Sequence, residues 1–302
     1  MASSAAITFA IPYFRHLEYL SEAIASVRAQ TIHDWELLVV DDAGPEPAHE
    51  LVASFHDDRI RYVRNEHNLG LAGNWNECLR QCTTPLVTLL HSDDRLMPTY
   101  AAHVIDAARE HPGVAAIFTD AVIIGPSGLP ARSLPDLAKR MIRRPRHDHD
   151  VVGDAGLAGI ARGNYVFCPT LCYVMATIGE EPFDAEWKFV LDLEHMSRLL
   201  LGGARLRAIR QPLYEYRRHE SNQTKAMTDD SQRFEEELQF ARDLEMRANA
   251  IGWSKTAAAA RHRVFVRAHL ALKMLTDLAR GRVAASAQKR SLLTNDLRHP
   301  RR

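Results

Sequence analysis

The segment "LVTLLHSDDR" (residues 86–95) has the composition of a buried strand that runs directly into two adjacent carboxylates. A continuous run of apolar and β-branched residues is typical of a strand covered on both faces of a sheet. Asp93 and Asp94 follow this run, and His91 stands two positions before the first of them. Because unpartnered buried carboxylates are costly, the pair either caps a helix or turn, or binds a cation.

The residues around this segment repeat the alternation of short apolar strands with amphipathic helices. Continuous apolar strands that alternate with helices indicate a parallel sheet covered on both faces, and therefore an α/β fold. The predicted strands are residues 7–11, 36–40, 60–63, 86–90 and 115–119. The predicted helices between them are residues 17–29, 46–55, 70–82 and 100–110. A later strand is predicted at residues 206–209.

The ends of three predicted strands carry residues suited to ligand binding. The first strand ends at Pro12 and Tyr13, and the second ends at Asp41 and Asp42. In open parallel sheets, ligands bind beyond the carboxyl ends of the strands. One Asp after a strand is a common turn residue, but paired carboxylates after two strands favour a binding site.

Composition excludes several classes of protein. The chain has 302 residues, of which 46% are hydrophobic and 25% are charged, as in ordinary globular proteins. Lys plus Arg equal Asp plus Glu at 38 each, so no overall basic field argues for binding to nucleic acid. No apolar run has the length of a membrane span, and the first residues do not have the pattern of a secretion signal. We therefore expect a cytoplasmic protein, with peripheral attachment to a membrane as an alternative.

The four cysteines form two C-x3-C pairs, Cys78 with Cys82 and Cys168 with Cys172. Cysteines four residues apart on a helix share a face, so a zinc site is conceivable. We interpret them instead as buried thiols in a reducing cytoplasm.

The common nucleotide-binding motifs are absent from the sequence. It contains neither G-x-G-x-x-G after the first strand nor G-x4-G-K-[ST]. A metal-bridged diphosphate remains an option, because adjacent carboxylates supply the hard oxygen ligands that Mg2+ and Mn2+ prefer.

Three blocks, in this order and spacing, resemble the family 2 glycosyltransferases. They are "ITFAIPYFRHLEYLSEAIASVRAQTIHDWELLVVDDAGPE" (7–46), "NEHNLGLAGNWNECL" (65–79) and "LVTLLHSDDRLMP" (86–98). The resemblance implies a GT-A fold, with a mostly parallel sheet and flanking helices. It also implies a nucleotide-sugar donor, a divalent metal, and transfer with inversion at the anomeric carbon.

The resemblance assigns the donor to residues at the strand ends and in the loop that follows the third strand. Pro12 and Tyr13 would border the nucleoside, and Asp41 or Asp42 would contact the base. A carboxylate can accept the imide N–H of uracil, which agrees with that assignment. The other donor-binding residues that the resemblance implies are Arg64, Asn68, Gly70 and Asp93.

The same resemblance implies a site for Mn2+ or Mg2+. Asp93 and Asp94 match the acidic motif of the family, in which one carboxylate contacts the ribose or sugar and one binds the metal. His219, in "YEYRRHESNQT" (214–224), matches a His that can complete the metal site, and a surface loop His is the alternative. An imidazole ligand would favour Mn2+. His91 departs from the pattern, because the family often has Asp there, and we expect a structural or ribose-side role for it.

The helical segment "WKFVLDLEHMSRLLLGG" (187–203) resembles the part of the family that supplies the catalytic base. Asp192 is the predicted base, since a single displacement needs a carboxylate to take the acceptor proton. The alternative is that Asp192 is a solvated helix residue that forms an ion pair with Arg198 or Lys188. Glu194 is the reserve base, and His195 either orients substrate or lies on the surface.

The chain divides by pattern into three parts. Residues 1–120 are predicted to bind the nucleotide-sugar, residues 121–228 to form the acceptor side, and residues 229–302 to form a helical C-terminal extension that could mediate a homodimer. The basic stretch within 125–150 is either a solvated loop or a lid. Arg217 and Arg218 are predicted to pair with diphosphate or to close a loop.

Two sequence motifs that the chain lacks limit the class of reaction. The Gln-x-x-Arg-Trp motif of processive synthases is absent, which favours transfer of one sugar to a small-molecule, lipid-linked or glycan acceptor. A sugar-1-phosphate nucleotidyltransferase would need a Gly-rich loop after the first strand, but "PYFRHLEYL" (12–20) contains no Gly. A non-catalytic nucleotide-sugar-binding protein is the third hypothesis, and the retained carboxylates argue against it.

Overall fold

The structure is a computed structural model that describes residues 5–131, 145–179, 182–219, 227–228 and 231–298. The strands are β1 (Ile7–Tyr13), β2 (Trp35–Asp41), β3 (Ile60–Arg64), β4 (Leu86–Leu89), β5 (Arg95–Leu96), β6 (Val114–Ile124), β7 (His149–Val151), β8 (Cys172–Val174) and β9 (Arg205–Arg217). The first helices are α1 (Leu17–Arg28), α2 (His49–Ala53), α3 (Gly70–Arg80), α4 (Tyr100–Glu110), α5 (Gly153–Arg162) and α6 (Met175–Ile178). They are followed by α7 (Leu191–Leu201), α8 (Gln232–Ala250), α9 (Ser254–His262), α10 (Val264–Ala279) and α11 (Val283–Arg298).

The strands form one mixed sheet in the order β3-β2-β1-β4-β8-β6-β9-β5, with β7 also paired to β9. The longer ladders are parallel: β2 with β3, β1 with β2, β1 with β4, and β6 with β9. The short strand β8 is antiparallel to β4 and β6, so it joins the two parallel parts. The predicted α/β fold with a mostly parallel sheet is therefore confirmed.

The local pattern explains the elements of the first half. Helix α1 buries Leu20, Ile24 and Val27, which recur at helical spacing within the predicted helix 17–29. Strands β1 and β2 are buried almost throughout, as expected for strands covered on both faces.

Two predicted boundaries are wrong. The helix predicted from residue 187 begins at Leu191, and in the segment before it the backbone N–H groups of Lys188 and Phe189 donate to the Glu236 carboxylate at 2.9 and 2.7 Å. The strand predicted at 206–209 runs to Arg217, because β6 continues to pair with it beyond an irregularity at Pro212.

The chain forms two compact units by its internal contacts. The first comprises residues 1–152, 165–186 and 198–218, and contains the sheet. The second comprises residues 153–164, 187–197 and 219–302. The three-part division of the chain made from sequence stays a prediction. Residues 132–144 of the predicted lid lie outside the described residues.

The second unit is built from helices. Its core contains Phe234, Leu238 and Leu270. The Asp154 carboxylate accepts hydrogen bonds from the backbone N–H groups of Lys255 and Thr256 at 3.0 and 2.7 Å, so it satisfies free donors at the start of α9.

Candidate functional site

The parallel strands β1, β2, β3 and β4 bring their carboxyl ends to one edge of the sheet. Tyr13 lies opposite Asp41 in the ladder, and Asp41 lies opposite Arg64. The backbone N–H of Leu90, after β4, donates to Ala10 of β1 at 2.9 Å. The predicted clustering of strand-end residues is therefore present in the fold.

Asp41 is fully buried, and its carboxylate accepts three hydrogen bonds. It accepts hydrogen bonds from Tyr62 Oη at 2.6 Å, Arg64 Nη1 at 2.5 Å and the backbone N–H of Gly44 at 2.9 Å. Arg64 also donates from Nη2 to the Gly44 carbonyl at 2.9 Å. The Asp41 carboxylate is therefore fixed at the sheet edge, and the Arg64 side chain that pairs with it remains 35% exposed.

Tyr13 closes this group on the β1 side. Its hydroxyl donates to the Glu46 carbonyl at 2.8 Å. Burial, reinforced by Glu46 and Asp41, raises the pKa of Tyr13 well above its ordinary value, so the phenol stays neutral. Tyr13 thus fixes the loop after β2 over the ends of the strands.

Asp42 organises the loop before α3. Its carboxylate accepts from the backbone N–H groups of Leu69 and Gly70 at 2.8 and 3.0 Å, and from Asn65 Nδ2 at 2.9 Å. Asn68 Oδ1 also accepts from the Gly70 N–H at 2.9 Å, and Asn68 is exposed. A carboxylate at a helix N-terminus satisfies free N–H groups and interacts favourably with the helix dipole. The fold therefore brings Asp42, Asn68 and Gly70 together, and their roles toward a donor stay predictions.

Sequence reasoning missed several residues of this group. Tyr62 lies two positions before Arg64 on β3, so the two share a face of the strand, and this period of two was a usable signal. Gly44 had no comparable signal, because its contact with Asp41 depends on the shape of the loop.

His91, Asp93 and Asp94 form a candidate metal centre. One ligand atom from each residue can be chosen so that all three lie within 4.8 Å of one another, and this is the only such group among the residues that the structure describes. His91 Nε2 is buried and makes no hydrogen bond to any described residue, while the His91 ring lies 5.4 Å from that of Trp75. Burial lowers the pKa of His91, which favours the neutral imidazole that a metal requires. This donor set fits a divalent cation such as Mn2+.

Asp94 differs from Asp93 in its surroundings. It is fully buried, and its oxygens accept from the backbone N–H of Arg217 at 2.7 Å and from Tyr214 Oη at 3.0 Å. Burial and the neighbouring Asp93 raise the pKa of the Asp94 carboxyl well above its usual range. Asp93 is only half-buried, so the geometry favours Asp93 and His91 over Asp94 as metal ligands.

The prediction that Arg217 pairs with a diphosphate is wrong. Its side chain is fully buried and donates to the Asp93 carbonyl at 2.7 Å, the Pro126 carbonyl at 2.9 Å and the Glu22 carboxylate. Its guanidinium also lies 4.6 Å from the ring centroid of Tyr19. Arg217 therefore holds the segment after β4 in place from within the protein.

The remaining predicted residues belong to the second unit. Asp192 lies half-buried in the first turn of α7, and His219 lies half-buried just after β9. Glu194 is buried and pairs with Arg247 at 3.2 Å, so the reserve base is already engaged. The surface alternative for His195 is wrong, because that residue is 1% exposed. The roles of Asp192 as base and of His219 as metal ligand stay predictions.

The cysteines are free thiols. Burial raises the pKa of Cys82 and of Cys172 to about 12. Cys82, two residues beyond the end of α3, donates to the Cys78 carbonyl at 3.0 Å and so contacts the last turn of that helix.

The mostly parallel sheet with its flanking helices is an α/β domain with the GT-A fold. The model of glycosyl transferase family 2 matches residues 8–163, which is more than half of the chain. The chain belongs to this family.

Two curated relatives match parts of the chain. UDP-Glc:alpha-D-GlcNAc-diphosphoundecaprenol beta-1,3-glucosyltransferase WfgD of Escherichia coli is 34% identical over 88 residues, which are 29% of this chain and 35% of that protein. GalNAc(5)-diNAcBac-PP-undecaprenol beta-1,3-glucosyltransferase of Campylobacter jejuni is 32% identical over 116 residues, which are 37% of each. The chain thus matches these relatives over little more than a third of their length.

Solved structures share the fold over almost the whole chain. Staphylococcus aureus TarS 1-349 in complex with UDP-GlcNAc has a TM-score of 0.64 at 16% identity, covering 95% of this chain and 90% of that one. The mannosyltransferase PcManGT of Pyrobaculum calidifontis, in complex with GDP-Man and Mn2+, has a TM-score of 0.57 at 16% identity, covering 98% and 81%. In the part of this chain that the structure describes, no helix has both the length and the apolarity needed to cross a membrane.

Proposed function

We propose that the protein is an inverting glycosyltransferase that moves one sugar from a nucleotide-sugar, a UDP- or dTDP-sugar, to a lipid-linked acceptor. The observation that carries this proposal is the His91, Asp93 and Asp94 group at the carboxyl end of β4. It lies at the sheet edge where ligands bind in open parallel sheets. Membership of family 2 and the names of the two relatives, which act on undecaprenol diphosphates, support the class of reaction and acceptor.

The donor would bind at the edge formed by β1, β2 and β3. Arg64 supplies a partly exposed cation held in place by Asp41, and Asn68 supplies an exposed amide beside the start of α3. These groups suit a nucleoside diphosphate, because a guanidinium pairs with phosphate and an amide can both donate and accept. Tyr13 and Pro12 would border the nucleoside.

Asp93 and His91 would hold the divalent metal, with Asp94 and His219 as the further ligands predicted from sequence. When bound, the metal neutralises the negative charge that develops on the leaving diphosphate. A neutral imidazole beside a carboxylate is a donor set for Mn2+ more than for Mg2+. In this chain, Arg217 holds the backbone of Asp93 and so fixes the position of its carboxylate.

Asp192 would act as the general base. The acceptor hydroxyl oxygen attacks the anomeric carbon as the bond from that carbon to the diphosphate oxygen breaks, and the hydroxyl proton passes to the Asp192 carboxylate. A single displacement of this kind inverts the anomeric centre, and the nucleoside diphosphate leaves. The reaction needs no other reactant.

The test is release of nucleoside diphosphate from a panel of sugar nucleotides with Mn2+, using sugar-diphosphate polyprenols and free sugars as alternative acceptors. Asp192→Asn should reduce turnover by about 100-fold or more while donor affinity is retained. Glu186→Gln is the matched control, because Glu186 is an exposed acid on the segment before α7. Full turnover by Asp192→Asn would rule out the assigned base. Donor binding without turnover on any acceptor would instead support a non-catalytic binding protein.

A further inference from the structure

One face of α10 is exposed and apolar along its whole length. Val264, Leu272, Leu275 and Leu278 are 64%, 62%, 57% and 56% exposed. With the exposed residues Phe265, Ala268 and Ala279 they recur at helical spacing and form a single face. We call these seven residues the α10 stripe. A helix of this length is about 24 Å long, so the stripe is a long surface.

Packing of the helical unit does not account for the α10 stripe. The core is on the other side of the helix, where Leu270 is fully buried in a cluster with Phe234 and Leu238. The charged residues of α10, which are Arg267, Lys273 and Asp277, all lie outside the exposed face. An exposed apolar face of this extent marks an interaction surface rather than ordinary protein surface.

The segment that carries the stripe is strongly basic. Residues 254–298 contain ten Lys and Arg residues but only two acidic residues, Asp277 and Asp296. Both are buried: Asp277 pairs with Lys289 at 3.0 Å, and Asp296 pairs with Arg267 at 2.8 Å and with Arg263. Exposed charge on this segment is therefore positive only. The exposed cations include Lys255, Arg280, Arg290 and Arg298.

We propose that the α10 stripe is a docking surface for a membrane that contains anionic lipids. The leucines, Val264 and Phe265 would enter the boundary between headgroups and acyl chains, and exposed cations of this segment, which include Lys255, Arg280, Arg290 and Arg298, would contact lipid phosphates. Amphipathic helices bind membrane surfaces through this combination of an apolar face and attraction to anionic lipid. The proposal concerns a surface separate from the sheet edge, and it does not depend on the proposed reaction.

The positive charge of residues 254–298 favours an anionic membrane over a second copy of the chain as the partner of the α10 stripe. Two copies that met through the α10 stripe would bring two positively charged segments together, with no exposed carboxylate on either segment to offset them. An anionic bilayer supplies the opposite charge as well as an apolar phase. The apolar stripe also favours a membrane over a nucleic acid as the partner. A nucleic acid would pair with the cations, but it would offer no apolar phase for the leucines.

The experiment is co-sedimentation of the full chain with vesicles of phosphatidylcholine alone, or of phosphatidylcholine with phosphatidylglycerol, in the absence of donor and acceptor. We expect binding to the anionic vesicles and much weaker binding to the neutral ones. The Leu272→Gln/Leu275→Gln variant should bind anionic vesicles about tenfold less tightly or worse, since two leucines that would be buried in the bilayer are lost. Met246→Gln is the matched control, because Met246 is an exposed apolar residue on α8.

A second pair of variants tests the charge. Arg280→Gln and Arg290→Gln should each weaken binding to anionic vesicles about fivefold and leave binding to neutral vesicles unchanged. Arg109→Gln, an exposed Arg of α4, is the charge control. Circular dichroism checks that each variant keeps its helices. Unchanged binding by Leu272→Gln/Leu275→Gln would overturn the proposal. The proposal would also be overturned if the wild-type protein were a dimer that does not bind vesicles and the Leu272→Gln/Leu275→Gln variant were a monomer. That result would assign the α10 stripe to contact with a second copy of the chain.

Discussion

The Asp94 carboxylate accepts a 2.7 Å hydrogen bond from the backbone N–H of Arg217, a residue 123 positions further along the chain. The Arg217 side chain returns to the same segment and donates to the carbonyl of Asp93. The two adjacent acidic residues therefore have different surroundings. Asp94 ties the end of β4 to β9, and Asp93 is left half-buried at the sheet edge.

Asp94→Ala should lower the free energy of unfolding by about 2–4 kcal/mol, because it leaves the Arg217 N–H and the Tyr214 hydroxyl buried without an acceptor. Asp94→Asn should cost less than about 1 kcal/mol, since an amide oxygen can accept from Arg217 and its NH2 can donate to Tyr214. Urea unfolding of the two variants measures the difference. Equal losses for Ala and Asn would contradict a role through these hydrogen bonds.

Asp93→Asn should weaken Mn2+ binding at least about tenfold, with little change in the urea midpoint, because the carboxylate ligand is removed from a half-buried position. Electron paramagnetic resonance of free Mn2+ measures the affinity without any turnover.

His91→Asp should shift the metal preference toward Mg2+, because an oxygen ligand replaces imidazole. Competition of Mg2+ with Mn2+ measures the shift, and His103→Asp, at a partly exposed His on α4, is the control. An unchanged ratio in His91→Asp would show that His91 does not contact the ion.

Local patterns predicted much of the first unit. The apolar runs of β1, β2 and β4 and the apolar spacing of α1 are properties of consecutive residues, so they are visible in sequence. Parallel strands place their ends at one edge, so the position of Asp41 and of Asp93 at that same edge also followed from the pattern. The family resemblance supplied Asn68 and Gly70, which the fold brings to Asp42.

The features that sequence reasoning missed depend on distant parts of the chain. The burial of Arg217 follows from the pairing of β9 with β6 and β5, and nothing in the residues near Arg217 encodes that register. The segment just before α7 is held by Glu236, which lies on α8 and accepts from the backbone N–H groups of Lys188 and Phe189. In both places, tertiary contacts override the local preference.

Gly44→Ala should disrupt the loop that holds Asp41 and Arg64. A Cβ at this position would lie 1.8 Å from the carbonyl oxygen of Phe14, and that backbone atom cannot move aside cheaply. We expect a loss of about 1–3 kcal/mol in the free energy of unfolding, as for overpacked sites. Donor affinity measured by calorimetry should also fall about tenfold, because the Gly44 bonds to Asp41 and Arg64 are displaced.

The control for Gly44→Ala is Gly113→Ala. Gly113 has a φ of +83° and no atom within 4 Å of the position of a Cβ, so the change should cost about 1 kcal/mol through backbone strain alone. Donor affinity in this variant should match the wild type. If Gly44→Ala bound donor as tightly as Gly113→Ala, the loop would have no part in the donor site.

The helical unit should lose stability in mild acid through His269. Burial, with help from Arg233 and Lys273, lowers the pKa of His269 from 6.5 to about 4, and its ring packs 5.1 Å from Phe234. Between these two values, the unfolded chain binds a proton that the folded chain does not, so unfolding becomes more favourable as pH falls. The contribution of His269 to stability is therefore complete above pH 6.5, declines as the pH falls below that value, and is lost by about pH 4.

His269→Phe should flatten this part of the curve of unfolding free energy against pH, measured by urea unfolding across the range. His262→Asn, at an exposed His at the end of α9, should keep the wild-type slope, and an identical slope in His269→Phe would assign the acid sensitivity to another group.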